Sequence, residues 1–149
     1  DEWVLCGPFE LVQLCRDLLA EHAVDPSHVR FELFSTGEGG VAPTRARPVE
    51  VREGEKTYTI DFTLDGTSVS VDSPVSANET ILNAALRVRP DVPFACAGGV
   101  CGTCRARVVT GSVSMTENYA LEADEIDRGY VLTCQSHPQS DKVVVDYDA

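Results

Sequence analysis

The residues in this chain whose types and spacing could do chemistry are its cysteines. Three of the six fall within nine residues as Cys96-x4-Cys101-x2-Cys104, and Cys134 follows after a further 29 residues. Thiolates are soft ligands that suit zinc and iron–sulfur centres. A two-residue gap alone fits zinc knuckles, redox dithiols and iron–sulfur sites alike. The complete pattern is more specific, because it is the spacing of a plant-type [2Fe–2S] cluster. Structural zinc sites usually arise from two short paired motifs, whereas here the fourth cysteine stands alone and the first gap is four residues. A third cysteine so close upstream disfavours a redox dithiol. Crowding in a Gly-rich stretch also argues against a disulfide-stapled secreted domain. The expected compartment is therefore a reducing one, most simply the cytoplasm.

The residues between the cysteines have a physical reason to be small. Four thiolates and the bridging sulfides concentrate negative charge, and a backbone wrapped around them must turn N–H groups inward to offset it. Gly98, Gly99 and Gly102 allow such wrapping without Cβ clashes. Thr103 could add a hydroxyl donor or simply pack. Cys134 ends an apolar stretch from the far end of the fold, which couples folding to cluster binding. The other candidates are weaker. Cys15 lies on the apolar face of a helix and reads as core filler. Cys6 precedes Gly-Pro at the end of a strand, where parallel sheets place binding loops, and is open between core and site. His22 and His28 lack a ligand-like partner in the sequence. His137, three residues past Cys134, belongs either near the cluster or on the surface.

Two unequal segments position these groups. "WVLC", a helix with Leu11, Leu14, Cys15, Leu18 and Leu19 at helical spacing, and an alternating run over 29–34 make a strand–helix–strand unit. Such a unit normally belongs to a parallel sheet covered on both faces, and alone it cannot bury them. Residues 1–36 are thus expected to be the tail of a larger α/β domain, and the Gly- and Pro-rich residues 37–54 a mobile linker. Over 56–64, Tyr58, Ile60, Phe62 and Leu64 alternate onto one face. "DG" at 65–66 turns the chain into a partner strand around 69–71. "SANE" at 76–79 reads as a capping box, with Ile81, Leu82, Ala85, Leu86 and Val88 as the buried face of the helix and Pro90 ending it. Strands are expected at 105–109, in "YVLTC" and in "KVVVDY". A short acidic helix over 122–127 is either a solvated face or a docking element. This describes a small mixed sheet crossed by one main helix.

The formal net charge of −12 disfavours nucleic acid and anionic lipid as partners and favours a protein with a basic face. No run of residues reaches the length of a membrane span.

"PFACAGGVCGTCRARVVTGSVSM" with "GYVLTCQSHPQSDKVVVDYD" resembles the C-terminal ferredoxin domain of class IA-type oxygenase reductases, in detail those serving phenylacetyl-CoA epoxidase in phenylacetate catabolism. "CGPFELVQLCRDLLAEHAVDPSHVRFELF" resembles the last strand–helix–strand of their ferredoxin-NADP reductase-like nucleotide-binding domain. The resemblance implies an α+β chain: a β-grasp plant-type [2Fe–2S] ferredoxin domain over 55–149, preceded by the nucleotide-domain remnant. It places Cys6, Gly7 and Pro8 on the nicotinamide side, with Glu32 and Phe34 near the flavin side. Leu11 stands where the family usually has Met. In such reductases a hydride passes from NAD(P)H to FAD, and electrons leave singly through the cluster to an oxygenase. No flavin-binding Arg-x-Tyr-Ser or Gly-rich dinucleotide pattern is seen in the chain. By itself it is therefore expected to be the electron-output module of a full-length oxidoreductase. The alternatives are a stand-alone ferredoxin carrier and a structural zinc module.

Overall fold

A computed structural model describes residues 2–7, 9–33 and 46–149. The expectations for Pro8, for Phe34 and for the linker up to residue 45 lie outside the described residues. The chain divides into two compact units, Asp1–Val41 and Ala42–Ala149.

In the first unit, strands β1 (Trp3–Gly7) and β2 (Val29–Leu33) pair in parallel, joined through helix α1 (Phe9–Glu21). The Asp25 carboxylate accepts from the Ser27 N–H and starts the one-turn 3₁₀ helix that leads into β2. Burial is thin. Val12 is enclosed, but Leu11, Leu14 (56% exposed) and Leu18 face outward along α1, with Trp3 and Val4 exposed on β1. Cys15, expected as core filler, is only partly covered, because two strands and one helix provide too little surface to enclose it.

The second unit is built on a five-stranded sheet in the order β4-β3-β9-β5-β7. Strands β3 (Thr57–Leu64) and β4 (Thr67–Pro74) form the expected hairpin around Asp65 and Gly66. The amides of those two turn residues both donate to the Asp148 carboxylate at 2.8 Å, tying the hairpin to the end of the chain. β9 (Lys142–Asp146) lies parallel to β3 and antiparallel to β5 (Arg105–Thr110), which in turn pairs with β7 (Tyr130–Leu132). β6 (Val113–Met115) and β8 (Ser136–Pro138) form a separate two-stranded ladder too short to be read from the sequence. Alternation on β3 puts Ile60, Phe62 and Leu64 into the core, where they meet Ile81, Leu82, Ala84, Ala85 and Leu86 of helix α2 (Ile81–Val88).

The start of α2 differs from the expected capping box. Asn78 adopts a left-handed conformation after a 3₁₀ turn, so the helix begins later. Its N-cap is Thr80, whose hydroxyl accepts from the Asn83 amide. Ser76 bonds Glu55 instead, and Glu79 turns inward to Arg87 and Asn83. Val88 is 44% exposed, because the buried face has rotated past it by the last turn. The acidic segment does hold a capping box: in α3 (Ala123–Asp127) Glu122 and Glu125 bond each other's backbone N–H.

The described part of the expected linker is not free of the second unit. The Arg47 backbone N–H donates to Asn83 Oδ1 at 2.6 Å, and Asn83 Nδ2 donates back to the Arg47 carbonyl at 3.1 Å. The Arg47 guanidinium adds a bond to the Ala77 carbonyl at 3.0 Å.

Gly111 turns the chain between β5 and β6 with φ +85°, and a Cβ there would collide with the Lys142 carbonyl oxygen. Gly111→Ala is therefore expected to destabilise the unit by at least roughly 2 kcal/mol, combining left-handed strain with a clash against backbone. Urea denaturation checks this, and an unchanged midpoint would mean the turn yields easily.

Candidate metal centre

The four cysteines that the sequence singled out come from two places. Cys96 and Cys101 lie in the irregular segment between α2 and β5, and Cys104 immediately precedes β5. Cys134 sits in the turn between β7 and β8. The register of β5 against β7 pairs Arg105 with Leu132, which delivers Cys104 and Cys134 to the same end of the sheet. Both are buried, at 2% and 6% exposure, while Cys96 is half-buried and Cys101 exposed. All six cysteines are unpaired thiols.

The segment is folded so that amides point at sulfur. Cys96 Sγ receives the N–H groups of Gly98, Val100 and Cys101 at 3.3–3.4 Å. Cys101 Sγ bonds the Thr103 hydroxyl at 3.1 Å and receives the Thr103 N–H at 3.5 Å. Ala97 and Gly99 are both left-handed, with φ of +52° and +81°. Gly99 is also close-packed: a Cβ would meet the Glu117 carbonyl oxygen at 3.0 Å and the Gln135 side chain at 3.3 Å. Gly102, with φ +71°, lies against Ala120.

The sulfurs interact as two pairs. The interaction with Cys134 pulls the Cys104 pKa down to about 6, and the interaction with Cys104 together with burial pushes Cys134 up. At Cys101 burial opposes ionisation, but the Thr103 hydroxyl and nearby N–H groups outweigh it and lower the pKa. Among the described residues no three His, Cys, Asp or Glu side chains converge on a single-ion site. A binuclear iron–sulfur unit asks for two thiolates on each tetrahedral iron, and two cysteine pairs in a cradle of N–H groups fit that demand.

Support for the cysteines comes from residues that spacing did not single out. Thr133 is fully buried; its N–H and hydroxyl both donate to the Cys104 carbonyl, at 3.2 and 2.9 Å. The Thr133 carbonyl accepts from the Leu82 N–H in the first turn of α2. Tyr147 donates to the Thr133 hydroxyl at 3.0 Å, and burial pushes its phenol pKa up. Tyr147 was legible only as the end of a strand, and Thr133 only as part of one. His137 lies in β8, and its buried Nδ1 has no hydrogen-bond partner among the described residues. Cys6 is exposed at the C-terminal end of β1, with Gly7 buried beside it.

A family model described as the 2Fe-2S iron-sulfur cluster binding domain matches residues 62–139, more than half of the chain. The chain belongs to that family. Its members bind a [2Fe–2S] cluster, and the matched span contains all four cysteines of the motif. Among curated proteins, the chain is 38% identical over 149 residues to a subunit of the 1,2-phenylacetyl-CoA epoxidase of Escherichia coli (strain K12), covering 100% of this chain and 40% of the relative. It is 37% identical over 144 residues to the ferredoxin reductase component of 3-ketosteroid-9-alpha-monooxygenase from Mycobacterium tuberculosis, covering 97% of this chain and 39% of the relative. The chain thus spans about two fifths of the length of these relatives. Among solved structures, the modular phthalate dioxygenase reductase shares the fold, with a TM-score of 0.55 at 24% identity over 97% of this chain and 39% of its own. An Amycolatopsis cytochrome P450 reductase aligns with a TM-score of 0.53 at 30% identity, over 62% of this chain and 26% of its own. Among the described residues no helix is long and apolar enough to cross a membrane.

Proposed function

We propose that Cys96, Cys101, Cys104 and Cys134 hold the [2Fe–2S] cluster and that the ferredoxin unit is the electron-output module of an FAD-dependent NAD(P)H reductase. The reading rests chiefly on one observation, the convergence of three backbone N–H groups on Cys96 Sγ beside the buried Cys104–Cys134 pair. Bound there, the cluster supplies one-electron transfer. The chain's own residues set its conditions. N–H groups offset the negative charge of the thiolates, Gly98, Gly99 and Gly102 let the backbone close around them, and the Thr103 hydroxyl, 3.1 Å from Cys101 Sγ, would turn donor once that sulfur is a ligated thiolate. Thr133 fixes the Cys104 carbonyl, so the third and fourth cysteines of the motif keep their separation.

Residues 1–36, with 37–54 as the joining segment, are read as the end of the reductase's nucleotide-binding domain. The outward apolar side chains of Leu11, Leu14 and Leu18 support this, since a larger domain would cover them. Cys6 and Gly7, at the carboxyl end of a parallel strand, are then assigned to the nicotinamide side together with Pro8. FAD and NAD(P)H belong to the full-length enzyme, whose flavin domain is the electron donor. The acceptor is a multicomponent oxygenase, and the relative named for 1,2-phenylacetyl-CoA epoxidase makes that oxygenase the favoured partner. Six cysteines outside disulfides suit a reducing cytoplasm.

Iron and sulfide analysis of the purified chain with a reductive titration tests the cluster assignment. A brown protein with equal iron and sulfide, bleached by one electron per chain, is expected; a colourless chain carrying zinc would overturn it. Delivery of electrons to the epoxidase oxygenase tests the partner. With 24 acidic and 12 basic side chains, docking is steered by charge. The rate should fall as salt shortens the Debye length from about 10 Å at 0.1 M to about 3 Å at 1 M. A salt-independent rate would remove charge steering from the account.

A further inference from the structure

Gln135 follows Cys134, and its side chain turns back over the cysteine loop. Its Nε2 donates to the Ala97 carbonyl at 2.9 Å and lies 3.7 Å from Cys134 Sγ, within hydrogen-bond reach of sulfur. Its Oε1 accepts from the Thr116 hydroxyl at 3.0 Å. The amide has one sensible orientation, because a carbonyl such as that of Ala97 can only accept and therefore requires the NH₂ end. Thr116 is itself placed by the backbone: its N–H donates to the Gln135 carbonyl at 2.9 Å. On the other side Gly99, the left-handed glycine of the loop, packs against Gln135 Cγ. One side chain thus joins the residue after the first cysteine of the motif to the sulfur of the last.

We infer that Gln135 is a positioning residue for electron transfer: its amide, oriented by Thr116, donates to the Cys134 sulfur and raises the reduction potential of the site. This rests on the reading of Cys134 as a cluster ligand. The physical argument is electrostatic. A donor aimed at a ligating sulfur offsets negative charge, and the reduced site carries one more negative charge than the oxidised one. Hydrogen bonds to the sulfurs are therefore among the determinants of iron–sulfur potentials. The tie to Ala97 matters as well, because it keeps the amide from rotating away when the charge changes. The Thr116 hydroxyl lies 3.0 Å from Gln135 Oε1 and 3.3 Å from the Gln135 carbonyl, so its influence on the site runs through Gln135.

The test is a potentiometric titration of the purified, cluster-loaded chain, with the electron paramagnetic resonance of the reduced form recorded alongside. Gln135→Leu, similar in size and without a donor, should lower the potential by a shift equivalent to about tenfold in the reduction equilibrium, about 59 mV for a one-electron couple. Thr116→Val should lower it by less, about threefold in the equilibrium. The double variant should match Gln135→Leu alone, because Thr116 has nothing left to orient. A shifted resonance with full iron and sulfide content would mark a change at the ligand sulfur rather than loss of the site. A Gln135→Leu chain with full iron and an unchanged potential overturns the inference, and so does a Thr116→Val effect that adds in full to that of Gln135→Leu. If Gln135→Leu fails to fold, Thr116→Val carries the test, and an unchanged potential there overturns it. A parent chain without iron and sulfide would overturn the ferredoxin reading itself, a result visible before any variant is made.

Discussion

Replacing Cys134 with serine is expected to strip most of the iron from the purified chain and to lower its melting temperature to that of the metal-free parent. In the proposed assignment Cys134 closes the site across the fold, since the other three cysteines lie together before β5 while it stands in the turn after β7. A serine hydroxyl ionises far less readily than a thiol and is a harder ligand, so it binds iron–sulfur units poorly. Ligand binding confined to the folded state is itself folding free energy, and losing it lowers the observed stability. The metal-free forms of parent and variant should differ little, because only one sulfur atom changes between them. Iron analysis and thermal melts of both forms separate the two effects. Normal iron content in the Cys134→Ser chain would show that another residue completes the site.

Arg87→Ala is expected to destabilise the ferredoxin unit by about 3–5 kcal/mol, the usual consequence of leaving a buried charge without its partner. The Glu79 side chain is fully buried, and Arg87 meets both its carboxylate oxygens, at 2.7 and 3.2 Å. Asn83 supplies a third bond at 2.6 Å, too little to replace a guanidinium. Arg87 also donates to the Asp72 carbonyl at 2.7 Å, so its loss unfastens α2 from β4. Small domains have only about 5–15 kcal/mol of net stability, which makes this a large fraction of the total. Urea denaturation measures it. Replacing both partners with apolar residues, as in Glu79→Leu with Arg87→Met, should recover much of the loss. A cost below about 1 kcal/mol for Arg87→Ala would mean that the carboxylate finds water.

The same pair shows where sequence reading reaches its limit. A Ser-x-x-Glu ahead of an apolar run has the form of a capping box, yet Glu79 has two possible destinations, its own helix end or a cation eight residues on. Burial decides between them, and burial is a tertiary property. The cysteine motif was legible because coordination chemistry constrains spacing directly, and β3 and β4 because alternation meets a two-residue turn. Thr133, Gln135 and Tyr147 were not legible as site residues. Their partners lie 29, 38 and 14 positions away, and nothing local marks such a bond. The Gly- and Pro-rich segment was readable as irregular, but its attachment to α2 at Arg47 depends on Asn83, 36 residues on. The β6–β8 ladder pairs three residues with three, below the length at which a period can be recognised.

The place of β9 in its sheet bears on how the protein is made. It lies between β3 and β5 and follows every other strand of that sheet in the chain. A ribosome delivers residues in order, so all four motif cysteines have emerged before the strand that joins the two halves of the sheet. Until then β3–β4 and β5–β7 are separate antiparallel pairs with an open seam, a state with exposed strand edges and a late, non-local closure. Maturation is thus a race between closing the seam and capture of bare thiols by stray metal or oxidant. A cell that supplies assembled iron–sulfur units only after release of the chain would favour loading of the intended group over stray metal.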